Sequence, residues 1–261
     1  MRRLRVLLCF GLALLMAVLV AMVVLAAFFP DAWYTVKGVL LNQEFRDNHP
    51  EGYWAYQLKD KDPERREEAV RELNSMGEQA KGSVPELANA LSDPEDIVRI
   101  LAALSLSKIG PEASEAVGAL GKALSDPHPQ VRMNSALALT RIGPGAAPAL
   151  PQLIAAMQVP ESQSIVLPFH HSLRQQIVMA IANFGPGARD AIPALIDALS
   201  DPLFGTRHKA AYALGQIGPG AVAAREPLLA ALHDSNHDVV VEAGKALKLI
   251  CPNDPEVSKL P

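Results

Sequence analysis

Residues 84–110 read VPELANALSDPEDIVRILAALSLSKIG, and the same pattern returns along the chain. The stretch holds two apolar segments, which are joined by the Ser-Asp-Pro turn at 92–94, and it ends at Gly110. Serine or aspartate before an early proline is typical of a helix start, and glycine after the last apolar residue is typical of a helix end. The stretch therefore predicts two helices that run antiparallel.

The Ile-Gly pair that closes this stretch, or its equivalent, recurs at intervals of 33, 33, 42, 33 and 33 residues. The pairs are Met76-Gly77, Ile109-Gly110, Ile142-Gly143, Phe184-Gly185 and Ile217-Gly218, with Ile250-Cys251 at the end of the series. Self-similarity at such a period is typical of stacked repeats. The sequence therefore predicts an all-α solenoid of antiparallel helix pairs.

Each repeat contributes two kinds of helix. The second helix of a pair opens on Val-Arg or a variant of it, and these six Val-Arg helices are predicted at 65–73, 98–106, 131–139, 173–181, 206–214 and 239–247. The partner helices precede them, at 84–91, 117–124, 150–157, 192–199 and 226–232. One pair cannot bury its own apolar face, so each repeat is expected to pack on the next.

Composition supports helices and argues against a nucleic-acid partner. Apolar residues make up 49% of the chain but aromatic residues only 5%, so the apolar mass is aliphatic and suits closely packed helices. The net charge is -4, which does not favour binding to a polyanion. Of the two cysteines, Cys9 lies in the apolar N-terminal run and Cys251 lies near the C-terminus, so no disulfide framework is expected.

The pattern resembles the HEAT-repeat family, in particular its short bacterial variety named after the phycobilin lyases, over about residues 60–250. Besides the Val-Arg opening, the resemblance rests on an early helix proline (Pro85, Pro151, Pro193) and a turn aspartate (Asp62, Asp93, Asp126, Asp201, Asp234). It implies a right-handed superhelix of the armadillo or HEAT type. It also implies a stabilising ladder between the turn aspartates and the arginines of the Val-Arg helices (Arg66, Arg99, Arg132, Arg174, Arg207). Two positions depart from the pattern, namely Gly118 and Val240.

An apolar segment precedes the repeats. The 24 residues from Val6 to Phe29 are uncharged, and a helix of this length crosses a ~30 Å hydrocarbon core. Three arginines precede the segment and Asp31 follows it, which predicts a single-pass membrane location with a cytoplasmic N-terminus and extracytoplasmic repeats. The alternative is a cleaved signal peptide and secretion.

These patterns divide the chain into four parts. Residues 1–30 are predicted to form a cytoplasmic tip and a transmembrane signal-anchor, and residues 31–60 a juxtamembrane segment and N-terminal cap. The repeat solenoid is predicted at 61–251 and a C-terminal tail at 252–261. Because contacts in such a stack are local, a monomer is expected.

Candidate partner-binding residues occupy the third and seventh positions of the Val-Arg helices, which lie one turn apart on one face. This stripe consists of Ile100, Leu104, Met133, Leu137, Gln175, Met179, His208 and Tyr212. It is apolar or amphipathic where a solvated helix would be charged. The resemblance implies that the Val-Arg helices line a concave groove, which suits a protein or peptide partner. The alternative is that the stripe packs against adjacent repeats.

The 42-residue interval holds a second candidate. Nine extra residues fall between Met157 and Leu173, and the insertion carries Ile165 and Phe169. These apolar side chains either pack on the edge of the solenoid or contact a partner.

No catalytic residue, metal ligand or cofactor is predicted. Hydroxylases built from similar repeats use His-Glu pairs, and the sequence contains no such dipeptide. The pairs His233-Asp234 and His237-Asp238 are expected to cap a helix. The sequence thus predicts a non-enzymatic scaffold, and the alternative is a lyase- or hydroxylase-like enzyme or enzyme accessory.

Overall fold

The computed structural model describes residues 16, 18, 20–24, 27, 29–40, 45–46, 49–158 and 172–259. Within these residues the chain is helical apart from its turns and one short hairpin, in which β1 (Phe45–Arg46) pairs antiparallel with β2 (His49–Pro50). Helix α1 spans Pro30–Leu40 and helix α2 spans Glu51–Gln57. The predicted all-α class is confirmed.

The two kinds of helix follow each other along the chain as predicted. The Val-Arg helices are α3 (Pro63–Met76), α5 (Asp96–Ile109), α7 (Pro129–Ile142), α9 (Leu173–Ala182), α11 (Phe204–Ile217) and α13 (His237–Ile250). The partner helices are α4 (Val84–Ala90), α6 (Val117–Ala123), α8 (Leu150–Met157), α10 (Ile192–Ala198) and α12 (Arg225–Ala231). The repeat solenoid is therefore confirmed.

Glycine ends most of the Val-Arg helices, and a 3-10 segment then leads to the next partner helix. These segments are Gly77–Ser83, Gly110–Ala116, Gly143–Ala149, Gly185–Ala191 and Gly218–Ala224. Their first glycines have φ between 51° and 73°, a region that side chains with a Cβ rarely adopt. The reversal of the chain therefore depends on glycine.

The core runs along the stack as one continuous cluster. Small residues such as Ala102 and Ala210 are fully buried and allow close approach of neighbouring helices, while Leu106, Leu139 and Ile181 fill the space between them. Each helix pair thus covers the apolar face of the next pair.

The two helix layers differ in how closely they pack. Each Val-Arg helix contacts its predecessor and its successor along much of its length, whereas neighbouring partner helices touch only slightly. In a curved stack the more closely spaced layer lies on the inner side. The Val-Arg helices therefore form the concave face.

The predicted membrane location is wrong. In the part of the chain that the structure describes, no helix is both long enough and apolar enough to cross a membrane. The longest helices whose ends are described have 14 residues, which at ~1.5 Å per residue gives about 21 Å, short of the ~30 Å of a hydrocarbon core. The predicted single-pass topology is therefore wrong as well, and most of the predicted signal-anchor segment, residues 6–29, lies outside the described residues.

Candidate functional site

The concave face is held in place by a ladder of arginines and aspartates. Arg99 donates from Nε and Nη2 to the carboxylate of Asp126 at 2.8 and 3.2 Å, and from Nη1 to the backbone carbonyl of Asp93 at 2.9 Å. The same reach to the turn of the following repeat joins three other pairs, Arg66 to Asp93, Arg174 to Asp201 and Arg207 to Asp234. Arg66, Arg99 and Arg207 also donate to backbone carbonyls of their own turns, and so each ties its own turn to the next one.

Two positions of the ladder differ in their contacts. Arg132 donates to the backbone carbonyls of its own turn, at Asp126 and Pro127, at 2.8 and 3.1 Å, while the Asp126 carboxylate receives Arg99 from the repeat before. The residue 27 positions after Arg132 is Val159, which lies outside the described residues.

At the first turn the predicted ladder residue Asp62 is instead the helix N-cap. Its side chain accepts from the backbone N–H of Glu64. The turn position belongs to Asp60, whose carboxylate accepts from the N–H of Asp62 at 2.9 Å, as Asp93 accepts from the N–H of Glu95 at 3.0 Å.

The stripe lies on the concave layer, and most of its members are half-buried. This class holds Ile100, Leu104, Leu137, Met179, His208 and Tyr212. Met133 and Gln175 are more enclosed, at 7% and 4% exposure, so their side chains contribute more to packing between repeats than to the surface. Ile100 and Tyr212 also touch the core. The stripe therefore combines core contact with an apolar surface.

The same two positions in the first Val-Arg helix are charged. In α3 they are Glu67 and Arg71, and Arg71 Nη2 donates to Glu67 Oε1 at 2.6 Å. Both side chains are exposed, as expected of a solvated helix face. The charged pair of α3 thus contrasts with the apolar or amphipathic pairs of α5, α7, α9 and α11. In α13 the same two positions hold Val241, which is 40% exposed, and Lys245.

The insertion cannot be placed on this surface. Ile165 and Phe169 lie outside the described residues, and their predicted role is neither supported nor opposed by the structure.

Polar side chains at the fourth position of the Val-Arg helices reach across to the previous helix. Asn134 donates from Nδ2 to the backbone carbonyl of Ile100 at 3.1 Å. Lys209 donates from Nζ to Oε1 of Gln175 at 3.0 Å, and so places its ammonium group beside a member of the stripe. Burial lowers the pKa of Lys209 below its ordinary value because it disfavours the charged form. The sequence analysis missed this lysine, although its fourth position in the repeat is visible in the sequence.

A second polar group follows on the same face. Glu242 is 9% exposed and accepts from Lys245 Nζ at 3.0 Å, while His208 Nε2 lies 3.9 Å from its Oε2. The Glu242 carboxylate is therefore already paired within the chain. Over the described ranges, no cluster of three or more His, Cys, Asp or Glu side chains could hold a metal ion.

The chain belongs to the HEAT-repeat family. HEAT repeats match at residues 54–114, 84–166 and 169–248, which together span most of the chain. No curated protein is significantly similar in sequence.

Solved structures show the same armadillo-like solenoid. An engineered protein is 23% identical with a TM-score of 0.61, covering 77% of this chain and 96% of its own. A designed armadillo repeat protein in complex with the peptide (KR)4 is 18% identical with a TM-score of 0.63, covering 76% and 98%. The complex of CpcE and CpcF of phycocyanin lyase from Nostoc is 25% identical with a TM-score of 0.50, covering 80% and 81%.

Proposed function

We propose that the chain is a non-enzymatic scaffold that binds a protein or peptide partner along the stripe. The observation that carries this proposal is the change in character at two repeat positions. They hold an exposed Glu67–Arg71 ion pair in α3 but apolar pairs such as Leu104 with Ile100 in the middle of the stack. These positions do not have to be apolar for the chain to fold and stay in solution. Because they are nevertheless apolar and half-buried on a concave face, they favour a surface that a partner covers.

The fold supports the same proposal. The designed armadillo repeat protein with the same solenoid architecture was solved with a peptide, (KR)4. A partner that lies across the Val-Arg helices would contact several repeats at once, and the flexible side chain of Met179 and the amphipathic ring of Tyr212 suit such a contact.

The proposal is tested with a double variant of the stripe, Leu137→Glu with Met179→Glu. Charged side chains at these half-buried positions should abolish recovery of a crosslinked partner from the native source, because they oppose burial of the apolar surface. The matched control is Ile154→Glu with Leu229→Glu, which alters two half-buried residues of the partner helices.

Folding and binding are read out separately in this experiment. A melting transition close to that of the natural chain is expected for the stripe variant, together with loss of the partner. If the variant unfolds, the stripe belongs to the core and the proposal fails. Undiminished recovery by a folded variant contradicts it equally.

A lyase-like function is the second candidate, and the similarity to the phycocyanin lyase complex favours it. An enzyme or accessory of that kind would carry a chromophore or a metal when purified from its native source. A visible absorbance scan and a metal analysis of the purified chain distinguish the two functions, since the scaffold is expected to show neither.

A further inference from the structure

We infer that the partner segment carries an acidic side chain, aspartate or glutamate, that docks on Lys209. This inference rests on the proposed function and specifies the chemistry of the partner at one point of the stripe.

The ammonium group of Lys209 has few contacts for a half-buried cation. Its one hydrogen bond within the described residues goes to the neutral Oε1 of Gln175 at 3.0 Å. An ammonium group can donate three hydrogen bonds. Over the described ranges no carboxylate lies within 4.0 Å of Nζ. On the next Val-Arg helix, the Glu242 carboxylate accepts from Lys245.

The lysine is held at this place by the helices around it. Gln175 is 4% exposed, so its amide is fixed, and it directs the Lys209 ammonium group toward α9. Lys209 also follows His208 in α11, and both Gln175 and His208 belong to the stripe. The Lys209 ammonium group therefore borders the stripe through its bond to Gln175, and we place the docking carboxylate on a molecule that covers the stripe.

A carboxylate is the group that this cation lacks. It would supply a charge-assisted hydrogen bond, which is stronger than the bond to the neutral amide of Gln175. It would also offset the burial that lowers the pKa of Lys209. A basic side chain at the same point would meet like charge in a half-buried setting.

The acid is assigned to a side chain of the partner, and not to its C-terminus. Terminal carboxylates are bound by free backbone N–H groups arranged in a nest. Lys209 lies within α11, where the backbone N–H groups are used by the helix. A single flexible ammonium group fits one side-chain carboxylate.

The spacing of the helices sets where apolar residues should stand in the partner. Leu137 in α7 lies two Val-Arg helices from Lys209 in α11, and adjacent packed helices are ~8–10 Å apart. An extended peptide advances ~3.3 Å per residue. In the partner, about five or six residues therefore separate the apolar side chain that contacts Leu137 from the acid that contacts Lys209. By the same measure, the partner's apolar side chain that contacts Met179 should lie about three residues from the acid.

The test uses 12-residue peptides selected from a random library on the purified full-length chain. Selected peptides should contain an aspartate or glutamate with apolar residues about three and about six positions away on one side. For one such peptide, labelled with fluorescein, the affinity is measured by anisotropy beside that of its counterpart with Glu→Gln or Asp→Asn. The neutral counterpart should bind about tenfold more weakly, as for a charge-assisted contact.

Three variants of the protein complete the cycle. With Lys209→Met the acidic peptide and its neutral counterpart should bind with equal affinity. With Lys209→Arg the difference in affinity between the two peptides should return. With Lys122→Met, a change on the outer layer, the difference in affinity should be the same as for the natural chain. Melting curves show whether Lys209→Met is folded, and the peptide pair on the natural chain tests the inference without any protein variant.

The outcomes separate this inference from the proposed function. If selected peptides depend on Leu137 and Met179 but lack an acid, or if the neutral counterpart binds equally well, the inference is wrong while the scaffold function stands. If no peptide is enriched at all, the peptide-binding function fails and the inference fails with it.

Discussion

The carboxylate of Asp126 accepts a hydrogen bond from Nε of Arg99 at 2.8 Å, although the two residues lie 27 positions apart. Both side chains are largely buried, with 13% exposure for Arg99 and 8% for Asp126. The pair joins the turn of one repeat to the turn of the next. Because Arg99 also bonds the backbone of its own turn, loss of this one side chain would loosen two turns together.

We therefore predict that Arg99→Ala destabilises the chain by about 2 kcal/mol, because it leaves a largely buried carboxylate without its main donor. Lys122→Ala serves as control, since Lys122 is exposed on α6 and should change the free energy of unfolding by less than about 0.5 kcal/mol. Urea unfolding at neutral pH measures both. Equal midpoints for the two variants would show that the ladder contributes nothing to stability.

The last ladder pair predicts a dependence of stability on pH. Arg207 donates to the carboxylate of Asp234 and holds the pKa of that carboxyl below its ordinary value of 3.8. A carboxyl whose pKa is lower in the folded chain stabilises it above pH 3.8, and this contribution is lost as the pH falls through the folded value.

Asp234→Asn should thus lower the free energy of unfolding at pH 7, and the deficit relative to the natural chain should shrink as the pH falls below 3.8. Urea unfolding at pH 7 and pH 3 measures the change. Asp190→Asn, at an exposed position, should show no such dependence. A deficit that stays the same at both pH values would rule out the ion pair as its cause.

Substitution of two glycines distinguishes the effect of backbone conformation on stability from the effect of packing. A Cβ added to Gly110 or to Gly118 would meet no heavy atom within 4 Å, but Gly110 has φ of +72° whereas Gly118 lies in helix α6. We predict that Gly110→Ala destabilises by about 1 kcal/mol through backbone strain. Gly118→Ala should instead stabilise by about 0.5 kcal/mol, because alanine loses less backbone freedom in a helix. Thermal melting distinguishes these opposite signs, and a change of the same sign in both variants would contradict the argument.

The repeats should fold without the N-terminal segment. Residues 31–261 are expected to form an elongated helical monomer, because the contacts that stabilise the stack join each repeat to its neighbours. Far-UV circular dichroism and sedimentation measure helix content and mass. A spectrum dominated by strand, or the mass of a dimer, would overturn this expectation.

The features that depend on residues close together in the chain, namely the helices and their order, were predicted from the sequence. The 33-residue spacing of Gly110 and Gly143, with capping residues before each helix, was sufficient for the helices and their order. The 3-10 segments after these glycines were not predicted, because a Gly-Pro pair marks where a helix ends but does not specify the geometry of the turn that follows.

Contacts between repeats could be predicted only in part. The contact of Arg99 with Asp126 follows from the family pattern, but the pairing of Lys209 with Gln175 depends on how two helices are positioned in space. The burial of Met133 relative to Leu137 has the same origin, because the positions of neighbouring helices in space decide which side chains of one face are enclosed. The apolar N-terminal run shows a different limit, since hydropathy alone suggested a membrane span that the described helices do not provide.

The ladder closes at both ends. At the start, the Asp60 carboxylate pairs with Arg65 of its own repeat at 3.3 Å. At the end, Val240 stands where the other Val-Arg helices carry arginine, and an aliphatic side chain cannot donate to another turn. A head-to-tail contact between two chains would generate an open filament if these groups were free to continue the pattern. The chain therefore repeats one joint internally, while over the described residues neither end presents the free half of that joint to another copy.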